Sequence, residues 1–378
     1  MYSIVRCRYS KNGGRGIGIL IVIKKLKSRT NMATTAILLA NLGSPDSYQV
    51  KDLRKYLSEF LMDERVIDIP YFFRALLVKG VIVPFRAPKS AHKYKTVWTT
   101  NGSPLIHISK QVQKALNQNI NLPVELSMRY GNPTAEAAFE NLFKQNPDLK
   151  EVVLIPLYPH YAMSSYETAM VQVQSVHDKK NYSFSLRVVP PFYNHPKYIK
   201  TLANSIKPYL EKPYERLLFS YHGIPERHVR KSDPTKAHCL TKENCCSVSS
   251  ESHSTCYRHQ VLTTTELVAK ELGLSPDKFS SSFQSRLGAD AWLKPNSADH
   301  FMQFPDQGIK KLVVVCPAFV SDCLETLEEI QMEGRDTFMK NGGKEYTVVP
   351  CLNEQPEWIA TLAELVQENF GEPQSQHM

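Results

Sequence analysis

Apolar positions along the chain fall into short unbroken runs separated by stretches with helical spacing. AILLANLG at 36–43 is apolar almost throughout and breaks at Gly43-Ser44-Pro45, which predicts a buried strand ended by a turn. VKDLRKYLSEFL at 50–61 follows with Leu53, Tyr56, Leu57, Phe60 and Leu61 on one helical face. VELSMRYG at 124–131 predicts a second strand, ended by Gly131-Asn132-Pro133. AEAAFENLFKQ at 135–145 reads as a helix and EVVLIPLYPHY at 151–161 as a third strand. Continuous apolar strands alternating with helices predict an α/β protein with parallel sheets covered on both faces.

The second half repeats this scheme. RLLFSYHGIP at 216–225 has the shape of AILLANLGSP, and KLVVVCPAFVSDCLETLEE at 311–329 has the shape of EVVLIPLYPHYAMSSYETA at 151–169. Two similar open α/β halves predict a bilobed protein with a cleft beyond the carboxyl ends of its strands. The expected divisions are a basic leader at 1–31, an N-terminal lobe at 32–200, a C-terminal lobe at 201–370 and a tail at 371–378. A helix from Trp358 to Asn369 is expected to cross back.

Charge changes the picture in one place. The formal net charge is +9, and residues 1–31 hold eight Lys or Arg and no acid, so the remainder carries about +1. A nearly neutral body gives no support for a nucleic-acid partner. IGILIVI at 17–23 is too short to span a membrane and has no cleavage site, so it is a poor signal peptide. The leader reads either as a transit peptide or as an upstream start, with the chain proper beginning at Met32; the strand starting at Ala36 favours the latter. With no export signal, the expected location is the cytoplasm and a disulfide framework is not expected. PYFFRALLVKGVIVPF at 70–85 reads either as an amphipathic helix on the core or as an exposed apolar lip at a pocket mouth or membrane surface.

Two features promise chemistry. Glu325, Glu329 and Glu333 stand four residues apart just beyond a buried strand, so they share one helix face whose first turn meets the cleft. Most such rows are solvated surface, but hard oxygen ligands in a row suit a divalent cation. His222 ends a second strand at the equivalent rim, where an imidazole can serve as base or ligand.

NLGSP, MRYGNP, YHGIPERH, SRLGADAWLKP and FVSDCLETLEE, in this order from about residue 36 onward, together resemble the ferrochelatases. The resemblance implies a chelatase-like fold of two Rossmann-like lobes around a central porphyrin cleft, and a lyase that inserts Fe2+ into protoporphyrin IX in the last step of haem synthesis. It implies that His222 and Glu325 are catalytic and, with Glu329 and Glu333, handle metal. It places Leu42, Tyr94, Arg129, Tyr130 and Trp292 at the porphyrin, and gives the lip peripheral contact with the inner membrane. Where many members carry a histidine two residues before the glutamate, this chain has Cys323. Alternatives are a chelatase acting on coproporphyrin or another tetrapyrrole, and a non-catalytic bilobed ligand-binding protein.

Four cysteines, Cys239, Cys245, Cys246 and Cys256, crowd into the segment 236–258. Four thiols can hold zinc or a [2Fe–2S] cluster, or remain free; without a Cys-x2-Cys pair the spacing does not decide. The segment follows His222, where the resemblance implies that certain bacterial members carry their cluster.

Overall fold

The computed structural model describes residues 34–286, 288 and 290–370; the leader, the start expected at Met32 and the tail 371–378 lie outside them. Strands β1 (Thr35–Ser44), β2 (Val124–Gly131), β3 (Glu151–Pro156) and β4 (Ser185–Val188) form a parallel sheet in the order β2-β1-β3-β4. Strands β5 (Arg216–His222), β6 (Phe279–Gln284), β7 (Lys311–Val315) and β8 (Glu345–Val348) repeat that order as β6-β5-β7-β8.

Alternation explains why the central strands had to be apolar throughout. Ile37 and Leu39 face one core, while Ala36, Leu38 and Ala40 face another. Leu217 and Phe219 face the first of these cores too, and Leu218 faces a third. The inner faces of both sheets therefore share a single central core, and each sheet has a separate outer one. Each fully buried Leu or Ile contributes roughly 1.5–3 kcal/mol, so Leu38→Asp would break the first lobe from its centre. The helix Pro356–Glu368 closes the shared core against the helix Pro196–Ile206. Thr361 and Thr201 hydroxyls meet at 2.8 Å, and Trp358 packs edge-on to Tyr198.

Two elements differ from the expected bounds. β3 stops at Pro156 rather than running to 161; Leu157 N–H makes one further bond to Ala40 O, and the chain then turns into the cleft wall. The lip is a continuous helix from Tyr71 to Val97 with a π-helical section at Leu76–Ile82. Its buried side chains explain both the length and the winding: Val78 and Val83 are five residues apart across the π section, then Ala87 and Ala91 follow at α spacing. The opposite face exposes Tyr71, Phe72, Phe73, Leu76 and Phe85, each more than 60% accessible. Among the described residues, no helix is long and apolar enough to cross a membrane.

Candidate active site

Each sheet reverses its strand order between its two central strands, and ligands of open α/β sheets bind at such switch points. A cleft lies there, walled by the carboxyl ends of β1 and β5 and by the loops after β3 and β7. Leu42, Tyr94, Cys323, His222 and Glu325 all line it.

His222 is the last residue of β5 and is half-buried. Its Nδ1 lies 2.6 Å from Gly223 O. A carbonyl can only accept, so in the neutral ring Nδ1 carries the proton and Nε2 keeps a free lone pair. Gly223 is required here: a Cβ would stand 2.8 Å from the carbonyl oxygens of Gln284 and Ser285 and 3.3 Å from the Trp292 ring. Trp292 thus packs behind the strand end beside His222 rather than on the cleft wall.

Glu325 opens a π-helical segment, Glu325–Gly334, instead of the α-helix the spacing suggested. The buried Cys323 lines the cleft with it. Burial, then the charge of Glu325, pushes the Cys323 thiol well above its ordinary range, so Cys323 stays neutral. Burial and Glu325 also keep Tyr94 protonated.

The three glutamates do not share one environment. Glu329 accepts from Ser285 N at 2.8 Å and Ser285 Oγ at 2.5 Å. Burial raises its carboxyl, Glu325 adds to that, and Ser285 and His222 oppose it, which sets these three groups in one electrostatic cluster. Glu333 is exposed and paired with Lys93 at 2.8 Å; Lys93 also holds Glu328 at 3.0 Å. The rim end of the row is therefore neutralised by a cation from the opposite lobe.

Arg129 and Tyr130 do not line the cleft. Arg129 donates to Asp63 Oδ2 at 2.5 Å and to Thr168 Oγ1 at 2.7 Å, over the Tyr130 ring. Tyr130 is fully buried and donates to the same Asp63 at 2.9 Å. Asp63 follows the helix Val50–Leu61, which covers this face of β2, and that neighbour absorbs both side chains.

Sequence reasoning missed His160 and Tyr257, both on the cleft wall. His160 Nε2 meets Thr264 Oγ1 at 2.9 Å, and burial pushes the imidazole down to about 3, so it stays neutral. The signal was available in YPHY, the counterpart of the loop that leads to Glu325.

The cysteine segment buries Cys239, Cys245 and Cys256 and leaves Cys246 part-buried. Cys246 draws the Cys256 thiol below its ordinary value. Leu240 N–H reaches Cys245 Sγ at 3.4 Å and His259 N–H reaches Cys256 Sγ at 3.5 Å. Such N–H donors suit anionic sulfur. The buried Asp233 fixes the loop by accepting from Cys239 N at 2.8 Å, His238 N at 2.9 Å and Ser252 Oγ at 2.6 Å. These four sulfurs fit a metal centre in chemistry and enclosure. They are not tightly clustered: among the described residues, the group with three donor atoms mutually within 4.8 Å is His195, Glu364 and Glu368, at the end of the C-terminal helix.

The ferrochelatase family model matches residues 34–370. A ferrochelatase of Opitutus terrae is 47% identical over 338 residues, covering 89% of this chain and 97% of its own. One of Ectopseudomonas mendocina is 45% identical over 333 residues, covering 88% and 97%. Among solved structures, SirB from Bacillus subtilis with Fe3+ superposes with a TM-score of 0.52 at 15% identity, over 89% of this chain and 95% of that one. The sirohydrochlorin chelatase SirB of the spizizenii subspecies, in complex with cobalt, gives 0.52 at 12% over 91% and 98%; at these identities the likeness is one of fold. The chain therefore belongs to the ferrochelatase family, lyases that insert ferrous iron into porphyrin for haem synthesis.

Proposed function

We propose that the chain converts protoporphyrin IX and Fe2+ into protohaem, releasing two pyrrole protons, and that His222 and Glu325 carry this chemistry. The supporting observation is that both line one cleft, on the second-lobe side, together with the apolar Leu42 and the ring of Tyr94 from the first. A flat macrocycle gripped by its faces can be bent from planarity, with binding energy from the remote ring offsetting the strain. Bending exposes pyrrole lone pairs. His222 Nε2 offers a lone pair for a pyrrole proton or the entering iron, and the Glu325 carboxylate complements it. Glu329 continues the acidic row outward from this pair.

Anaerobic incubation with Fe2+ and excess porphyrin tests the reading. Protoporphyrin absorption bands should convert over many turnovers. A single stoichiometric shift would indicate a binding protein, and faster conversion of coproporphyrin would reassign the substrate.

Cys239, Cys245, Cys246 and Cys256 hold a [2Fe–2S] cluster. The supporting observations are the burial of three of these thiols and the N–H donors that Cys245 and Cys256 receive from Leu240 and His259. When bound, such a cluster supplies a cross-link and a one-electron couple. Two irons and two sulfides per chain with visible absorption are expected; stoichiometric zinc would overturn this.

The lip rests on a membrane surface, the runner-up being a bare pocket mouth. Its exposed Phe72, Phe73 and Phe85 neighbour exposed Lys79, Arg86 and Lys89, a combination suited to anionic lipid. Sedimentation with anionic vesicles should fall in Phe72→Ser/Phe85→Ser; equal sedimentation would refute the contact.

A further inference from the structure

We infer that Tyr257 is a positioning residue through which the cysteine segment sets the orientation of His222. This rests on the reading of His222 as the reacting imidazole. His222 is the last residue of β5, where the sheet runs out of partners for its carbonyl. Tyr257 supplies the donor: its hydroxyl meets His222 O at 2.8 Å. The imidazole in turn is tied to the next carbonyl, Gly223 O, so ring orientation follows the backbone at 222–223.

Tyr257 opens the helix Tyr257–Glu271, and the residue before it is Cys256. The Cys256 sulfur caps that helix by accepting from His259 N–H. A second bond fixes the helix further along, where Thr265 Oγ1 meets the Tyr221 hydroxyl at 2.8 Å. Consecutive residues at the end of β5 are therefore held by one helix, and its first turn depends on a cysteine. Loss of that sulfur removes the cap and frees the end that carries Tyr257. The Tyr257 ring also forms part of the cleft wall and packs edge-on to His160 at 6.0 Å, so its displacement is felt inside the cleft.

The test uses the full chain as purified, with isotope-labelled histidine and the His222 ring resonances assigned through His222→Gln. Tyr257→Phe keeps the ring and removes the hydroxyl. It should shift the His222 resonances and lower kcat about fivefold, with the porphyrin KM within about twofold and the visible spectrum of the cysteine centre unchanged. Cys256→Ala should shift the His222 resonances in the parent and have little further effect in the Tyr257→Phe background. Unchanged His222 resonances in Tyr257→Phe, or an equal response to Cys256→Ala in both backgrounds, overturns the coupling. Retained turnover in His222→Ala would instead remove the catalytic reading, and the resonances would still decide the coupling.

Discussion

Leu42-Gly43 ends β1 where His222-Gly223 ends β5, and Glu167-Thr168 stands in the helix after β3 where Glu325-Thr326 stands in the helix after β7. The two lobes share this frame down to the glycine that lets a neighbouring strand approach: a Cβ on Gly43 would collide with Tyr130 O. They differ in what they do with it. The first lobe presents an apolar Leu42 and locks its carboxylate, since Glu167 accepts from Arg65 Nε at 2.9 Å and from the Tyr161 hydroxyl. The second lobe presents an imidazole, and Glu325 shares the cleft with the neutral Cys323 thiol. Among the described residues, Glu325 has no ion pair. A carboxylate held by a guanidinium is a structural part; one left without a cation at a cleft can receive a proton or a metal ion.

The sharpest way to break this contrast is to remove the second lobe's groups. His222→Ala or Glu325→Gln should lower kcat about 10²–10⁴-fold, the range of general acid–base contributions. Porphyrin affinity, followed by fluorescence titration, should stay within about threefold. Parallel losses of binding and turnover would mean that these side chains hold the ring rather than react with it.

The next effect belongs to the first lobe and concerns folding. Burial raises the Asp63 carboxyl, but hydrogen bonds from Thr168 and Arg65 N–H, with the charge of Arg129, outweigh it and hold Asp63 below its ordinary 3.8. Its folded value is thus the lower one. The stability it contributes is present above about pH 4 and is lost as pH falls through the folded value. Asp63→Asn leaves Arg129 without its anion and should cost about 3 kcal/mol at neutral pH. The deficit relative to the parent should shrink in urea titrations toward pH 3. A pH-independent deficit would trace the loss to packing instead.

Glu167→Gln tests the contrast directly. It should cost about 1–2 kcal/mol, the scale of a charged hydrogen bond, and leave kcat within about twofold. The counterpart Glu325→Gln should do the reverse. If both variants lost turnover, the two lobes would not divide structure and chemistry as argued.

That division was partly legible in the sequence. The repeat of strand, glycine and Glu-Thr was visible because central parallel strands must be apolar on both faces and must end in a tight turn. His222 and Glu325 could be placed on a common rim for the same reason. Arg129 and Tyr130 could not be placed, because their partner Asp63 is 66 residues from Arg129 in the chain and nothing local announces it. π winding was also hidden: over ten residues a four-residue spacing satisfies either helix, and the bonding pattern is set by what packs around it. In the cysteine segment, spacing gave four thiols but not the cap that Cys256 supplies to the helix Tyr257–Glu271.

The smallest effect falls at the rim, where the lobes meet. Lys93, on the first-lobe helix Val83–Val97, grips Glu328 and Glu333 of the second. Lys93 and Glu333 are 40% and 54% exposed, so solvent screens their pair, which contributes under about 1 kcal/mol. The informative consequence of Lys93→Ala is kinetic. Without that ammonium the rim carboxylates present uncompensated charge to arriving Fe2+. The KM for iron should then fall about twofold at low salt, and the difference should fade as ionic strength rises. An unchanged iron KM at every salt concentration would make the outer carboxylates a clamp between lobes, leaving Glu329 as the outermost member of the row that serves the cleft.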